Sequence, residues 1–364
     1  MSAKTKDPNV LRQFVDGVRR FRWMGSPLYG AFCEHIVDDD ELQEIAGEAP
    51  PGQPFTHLLF AAVHALVLED PSAPLAGYYA SVTGAPRLNQ NRAFAEFREF
   101  CLERRGEILA IMKRRTVQFT VAGRAGFIMP AIAFVARLTG RPLSLIDIGC
   151  SAGLLTLFDH YDYDFGDGYR VGGPAGITIN SFRFDGPPPG FLTQIPEIAE
   201  RVGIDLNPVD PADPAERRWI DALCPPDMIL ERRQLRAALD LRARTPLPVI
   251  KGDALIALPG LLAAMPDPIC ALATHCLYQW PQTARDALYG EIGKASQGRS
   301  LYFITIDHPA ALDPSRITSA YPATTDEPPV EHEASLTVFR DGEASTTLLG
   351  RYDSFGRRGV WLAD

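Results

Sequence analysis

The chain has 364 residues, 46% hydrophobic and 22% charged, the balance of a globular protein long enough for a sizeable core and two structural units. Thirty-six basic against 45 acidic side chains leave a formal charge of −9, which excludes the broad cationic field that bulk nucleic-acid binding needs. Of the 36 cations 31 are arginine, grouped at places such as Arg217–Arg218 and Arg232–Arg233, so only a local patch stays open.

The opening stretch, MSAKTKDPNVLRQFVDGVRR, has no apolar core of a signal peptide. The longest apolar run, Leu58 to Leu68, contains His64 and is too short to cross a bilayer. Six cysteines (Cys33, Cys101, Cys150, Cys224, Cys270, Cys276) form no C-x-x-C pair and suggest neither a disulfide framework nor structural zinc. A cytoplasmic protein with no membrane partner is expected.

Residues 8 to about 122 read as helices. Leu11, Phe14, Val15 and Val18 keep helical spacing, and so do Leu58, Leu59, Ala62, Val63, Leu66 and Val67. A third helix is expected from Asn91 to Arg114. Proline and glycine at 49–54 and 70–74 punctuate the series. At Gly126 the pattern changes. A helix over 127–138 stops at Thr139-Gly140-Arg141-Pro142, and LSLIDIG follows as a buried strand over 143–148. Further strands are expected at 201–206, 248–251, 269–275 and 301–307, with helices between most of them, which implies a parallel sheet. Residues 335–340, Asp341-Gly342 and 344–352 read as an antiparallel hairpin, with a last short strand at 360–362.

The expected fold is therefore α/β: a doubly wound Rossmann-like sheet with a C-terminal antiparallel hairpin, preceded by an all-helical N-terminal unit. Residues 1–122 would form that unit and 123–364 the α/β domain.

Asp147-x-Gly149-x-x-x-Gly153 lies where the first strand gives way to an expected helix. There glycines let backbone approach a ligand, and a helix amino terminus adds partial positive charge. The dinucleotide pattern G-x-G-x-x-G cannot be laid over these residues. Asp147, Gly149, Cys150, Ser151 and Gly153 are similar instead to the first motif of class I S-adenosylmethionine-dependent methyltransferases. That resemblance implies a loop cradling the amino-acid part of the cofactor. The same stretch reads Gly149-x-Ser151-x-Gly153, the nucleophile elbow of α/β hydrolases, with Asp253 or Asp267 and His275 or His308 as formal partners. A helical 140-residue prelude without a glycine-rich oxyanion segment counts against that alternative.

Two later carboxylates extend the first reading. RVGIDLNP ends a strand in Asp205, with Leu206 beside it, and an acidic residue there can accept both hydrogen bonds of a ribose diol. KGDA ends the next strand in Asp253, followed by Ala254. In methyltransferases such an aspartate meets the adenine amino group, with neighbouring N–H groups on the ring. Asp at a strand end is equally a helix cap.

GRAGFIMPAIAF (123–134), LIDIGCSAGLLTLFDHYDYDFG (145–166), RVGIDLNPVDPADPAERRWIDALCPPD (201–227) and KGDA (251–254) together resemble a bacterial domain family of unknown function with a methyltransferase-like core. The resemblance implies the fold and S-adenosylmethionine, and brings no substrate. Fifty-two positions separate Gly153 from Asp205, where roughly twenty is usual in dinucleotide folds. An insertion over about 158–200 is expected, and Asp185 is the fallback for the ribose.

His275, ending the fourth parallel strand, is the catalytic candidate, a base for a hydroxyl or amine. Tyr278 and Trp280 would shape its pocket or simply pack. Asp307-His308-Pro309 borders the pocket or forms a polar turn. Arg124 reaches a carboxylate ligand or makes a surface ion pair. The oxygen-rich run Asp159–Asp167 fails the calcium-loop register and reads as a hydrated turn, so no metal is expected. His57 and His64 read as structural, and Arg217-Arg218-Trp219 as packing across the inserted region. The function expected is S-adenosylmethionine binding, with methyl transfer to a small molecule or protein. A Ser151 hydrolase and a non-catalytic sensor or scaffold are the alternatives.

Overall fold

The computed structural model describes residues 8–172, 176–309 and 332–364, which divide between two compact units. The described residues up to Thr120 join Ala212–Arg233 in unit 1; Val121–Pro211 and the described residues from Gln234 onward make unit 2.

Unit 1 starts with α1 (Pro8–Met24), α2 (Pro27–Ile36), α3 (Asp40–Gly47), α4 (Phe55–Glu69), α5 (Gln90–Glu103) and α6 (Arg105–Arg114). Its core is aromatic: Tyr29 stacks on Phe60 at 4.4 Å between ring centres, and Phe32 meets Phe97 at 4.6 Å. The expected third helix is broken into α5 and α6 at Arg104. Gly106 weakens the helix there, and Arg104 turns to pair with Glu107 and lie over Phe100.

Unit 2 opens with α7 (Ala125–Thr139), closed by Gly140 at φ +62°, the left-handed helix end that glycine favours. Then come β1 (Leu143–Ile148), β2 (Asp162–Asp164), β3 (Arg170–Val171), β4 (Thr178–Ile179), β5 (Arg183–Phe184) and β6 (Ile198–Asp205). The chain next contributes α8 (Pro214–Leu223) to unit 1, and α9 (Ile229–Arg244) has residues in both units. β7 (Val249–Lys251), α10 (Ala254–Ala264), β8 (Ile269–Thr274), α11 (Gln282–Ala295), β9 (Ser300–Asp307), β10 (His332–Arg340), β11 (Glu343–Tyr352) and β12 (Arg358–Trp361) complete it.

The nine-stranded sheet has the order β5-β12-β11-β10-β9-β8-β1-β6-β7. From β7 to β9 all strands are parallel and run third-second-first-fourth-fifth, a Rossmann-like core whose switch point lies between β1 and β8. β10, β11 and β12 add antiparallel strands beyond β9. Ile146, Ile148, Val202, Ile204, Ala271, Ala273 and Phe303 build one face of the core with α10 and α11. Because β10 runs against its neighbours, it starts, and β11 ends, at the rim where the parallel strands finish.

Two expectations need correction. The helix expected after β1 is only a six-residue 3-10 helix, Leu155–His160, non-helical at Leu157. Thr156 turns back to donate to Asp147, and the Tyr161 hydroxyl donates to the Leu154 carbonyl at 2.6 Å, holding a tight turn. The helix-dipole argument for the glycine loop therefore lapses. Asp185 follows β5 at one sheet edge and pairs with Arg358, seven strands from β6 and about 34 Å along the sheet at ~4.8 Å per strand. That separation removes it as a ribose ligand beside the loop. Within 158–200, β3-β2-β4 form a separate small sheet, and residues 173–175 lie outside the described residues.

Candidate active site at the carboxyl edge of the sheet

After β1 the chain must turn sharply, and Gly149, Ser151 and Gly153 take left-handed φ of +76°, +53° and +73°. A Cβ on Gly149 would lie 2.7 Å from the Cβ of Cys276, so the approach of β8's tip to the loop requires glycine. Ser151 is strained, since this conformation costs a residue with a Cβ about 1–2 kcal/mol. Its N–H donates to Asp205 Oδ2 at 2.8 Å, which holds it there. The N–H groups of Gly149 and Cys150 point to the Ile204 carbonyl at 2.8 and 3.3 Å, and that of Gly153 to the Cys150 carbonyl at 2.7 Å. Those four donors are spent inside the protein. Beneath the loop, Asp147 is buried and accepts from Thr156; burial raises its carboxyl to about 6.

The tips of β6 and β7 are tied together by the Gly252 N–H, which donates to the Asp205 carbonyl at 3.0 Å. Asp205 Oδ1 accepts from Asn207 N–H at 2.7 Å, and Asp253 Oδ1 caps α10 through Leu255 N–H at 2.8 Å. Beside these carboxylates stand two bare aliphatic side chains, Leu206, 64% exposed, and Ile256, 81% exposed.

Across the switch point lies a second group of side chains. His275 follows β8 with φ +52°, a conformation rare for a residue of its size. Its Nε2 and the Tyr352 hydroxyl share a hydrogen bond of 2.6 Å. His332 is opposite Tyr352 in the β10–β11 ladder, and its ring is 4.8 Å from that of His275 and 5.5 Å from that of His308. Asp307, 2% exposed at the end of β9, accepts N–H groups of Tyr278 at 3.1 Å and His308 at 2.9 Å. Burial lifts its carboxyl to about 6. Arg124 donates through Nε and Nη2 to the Ser354 carbonyl at 3.0 and 2.9 Å. Burial first, and the Arg124 charge second, hold His275 well below the ordinary histidine range and His332 at about 3. Both imidazoles are neutral at pH 7.

A family described as "Uncharacterized protein conserved in bacteria (DUF2332)" matches residues 12–361. The chain belongs to the DUF2332 family. No curated protein matches it. The match takes in every side chain at the sheet edge, so the rim belongs to the family's span.

In this DUF2332 chain the sequence-derived candidates form two groups on the two sides of the switch point. Asp147, Gly149, Cys150, Ser151, Gly153, Asp205, Leu206, Asp253 and Ala254 lie along β1, β6 and β7; His275 lies beyond, with Tyr352. The sequence reading missed Tyr352, His332 and Ile256, of which only Ile256 carried a signal, as an apolar residue in the first turn after Asp253. Among the described residues no group of histidine, cysteine and acidic side chains could hold a metal ion. The run around Asp159 is structural: Tyr161 and Tyr163 are buried, and Asp159 pairs with Arg201 at 2.5 Å. For Arg218 and Trp219, expected to pack across the inserted region, the contacts seen lie within unit 1: Arg218 pairs with Glu69, and Trp219 Nε1 donates to the Thr116 carbonyl at 3.0 Å. No helix among the described residues is long and apolar enough to cross a membrane.

Proposed function

We propose that the carboxyl edge of the DUF2332 sheet binds S-adenosylmethionine, and that the protein transfers its methyl group to a small-molecule or protein acceptor in the cytoplasm. The observation that carries this reading is the shared rim of Asp205, Leu206, Asp253 and Ile256. Two carboxylates offer acceptors for a ribose diol and an adenine amino group, and two exposed aliphatic side chains offer a surface for a flat heterocycle. The glycine loop supports it through its donor set. With four N–H groups committed internally, the loop suits the ammonium end of the cofactor and not a pyrophosphate.

Asp205 would hold the ribose beside Leu206, Asp253 and Ala254 N–H the adenine, and Asp147, Gly149, Cys150, Ser151 and Gly153 the amino-acid end. The bound sulfonium supplies an activated methyl group. The protein contributes alignment of an acceptor with it, a positioning effect that needs no metal. His275 stands on the acceptor side as the candidate for the acceptor's proton.

Calorimetric titration with S-adenosylhomocysteine tests the reading. Binding is expected in the wild type and at least tenfold weaker in Asp205→Asn and in Ile256→Asp. No heat and no thermal shift in a folded sample would overturn it. Binding without any acceptor in a broad screen would favour a sensor.

A serine hydrolase is favoured by one observation, the strained φ of Ser151 inside G-x-S-x-G. Its hydroxyl is buried without a hydrogen-bond partner, however, and His275 is engaged with Tyr352. Fluorophosphonate labelling that vanishes in Ser151→Ala would establish the hydrolase against the transferase.

A further inference from the structure

Three of the chain's seven histidines, His275, His308 and His332, gather ring against ring at one rim of unit 2, beside Tyr352 and Arg124. The sheet register makes this meeting: β8 and β9 end there, β10 begins there with His332, and β11 ends there with Tyr352. His332 Nδ1 is buried and has no hydrogen-bond partner. Buried polar atoms are paired in the great majority of cases, so an orphan at a rim calls for a ligand.

The chemistry of the group defines that ligand. Imidazolium, phenol and guanidinium are all donors. The acidic groups facing them are already supplied by other donors. Asp307 accepts two backbone N–H groups, Asp353 accepts those of Phe355, Arg357 and Arg358, and Glu333 on β10 pairs with Arg351 at 3.1 Å. Among the described residues, Tyr278 and His308 complete the titratable groups around the cluster. A cation entering here meets the Arg124 charge that both imidazoles already feel. An anion meets the same charge as an attraction.

We propose that Arg124, His275, His332 and Tyr352 form a binding site for a small oxyanion group, a carboxylate or phosphate, taken up together with one proton. A neutral imidazole carries one N–H and an imidazolium two, so a proton adds a donor to the cluster. The incoming charge offsets that of Arg124, and an imidazole gains its second N–H. Calling this oxyanion part of the methyl acceptor rests on the transferase reading; the binding itself does not.

The test is histidine NMR of the full chain, titrated with sodium acetate, malonate or inorganic phosphate at constant ionic strength. The signal of one of the two, His275 or His332, should pass from neutral to protonated as the anion is added. For acetate, ionised throughout, one proton per anion makes affinity fall about tenfold per pH unit from 6 to 8. His332→Gln should abolish the response. His275→Asn should do so too, asparagine being tolerated at left-handed φ. Whichever of carboxylate and phosphate binds tighter identifies the source. Equal affinity at pH 6 and 8, or histidine signals indifferent to all three anions, would overturn the proposal. An anion response without S-adenosylhomocysteine binding keeps this site and removes the transferase reading; the reverse result does the opposite.

Discussion

Ser151 places a side chain where the loop's left-handed backbone favours none, between two glycines of the same handedness. Replacing it with glycine removes about 1–2 kcal/mol of strain and adds about 0.5–1 kcal/mol of chain entropy cost. Ser151→Gly is therefore expected to leave stability unchanged or raise it by up to about 1 kcal/mol in urea denaturation. A nucleophilic role would instead show as lost activity. Gly149→Ala has the opposite sign, because the new Cβ meets Cys276. A cost of about 1–3 kcal/mol is expected from the clash, which Gly149→Ala with Cys276→Gly relieves, while the left-handed strain of about 1–2 kcal/mol remains. The need for glycine at 149 was legible in the sequence; its cause, a residue 127 positions away, was not. Tyr352 shows the same limit. Counting back from the Asp341-Gly342 turn pairs His332 with Arg351, but one extra residue on β11, Leu349, bulges opposite the Ala334–Ser335 step and brings Tyr352 opposite His332. A one-residue slip of that kind leaves no trace in composition or periodicity.

At the level of elements, α4 and α8 are joined by the two histidines read as structural. Seven residues apart, two helical turns, they lie on one face of α4. His57 Nε2–H donates to the Leu223 carbonyl at 2.8 Å, and His64 Nδ1–H to the Ala222 carbonyl at 3.0 Å. These carbonyls close α8, where a helix runs out of its own donors. His64 Nε2 is then left to accept from Ser81 at 2.8 Å. His64→Leu is expected to cost about 2–3 kcal/mol in chemical denaturation, since it strands buried polar groups, while His64→Asn recovers part of it. Elements of unit 2 with continuous apolar runs and glycine or proline stops, such as β1 and α7, were legible to within a few residues. The two- and three-residue strands β2 to β5 were not, because their pairing is set by distant partners and no period fits in so few residues.

Over the whole molecule, titration divides the two units. Burial lowers His57 to about 4, so below its ordinary range the unfolded chain binds a proton that the folded one refuses. Stability present above pH 6.5 is then lost toward pH 4, at about 1.4 kcal/mol per pH unit. Asp227 in the same unit, raised by burial, opposes this in part. In unit 2, His275 and His332 act in the same sense as His57, while Asp147 and Asp307, both at about 6, gain stability as the pH falls from 6 to 4. Unit 2 should therefore change little over that interval while unit 1 weakens. Two tryptophans report on each, Trp23 and Trp219 against Trp280 and Trp361, so fluorotryptophan NMR in urea at pH 5 and 7 can follow them separately. His57→Gln, which keeps a donor for Leu223, should flatten the acid loss in unit 1. An unchanged slope would remove His57 as its cause.

The described residues of unit 1 come from two stretches of chain with 91 residues of unit 2 between them. On a ribosome adding about 5–20 residues per second, Val121–Pro211 takes roughly 5–20 s to appear. For that interval α4 exists without α8, its two histidines facing no carbonyls and its apolar face uncovered. Nascent chains arrested at Thr120 should thus be protease-sensitive and chaperone-bound, while arrest beyond Arg233 should release them. A gene cut at the apparent helical boundary would inherit the same deficit permanently.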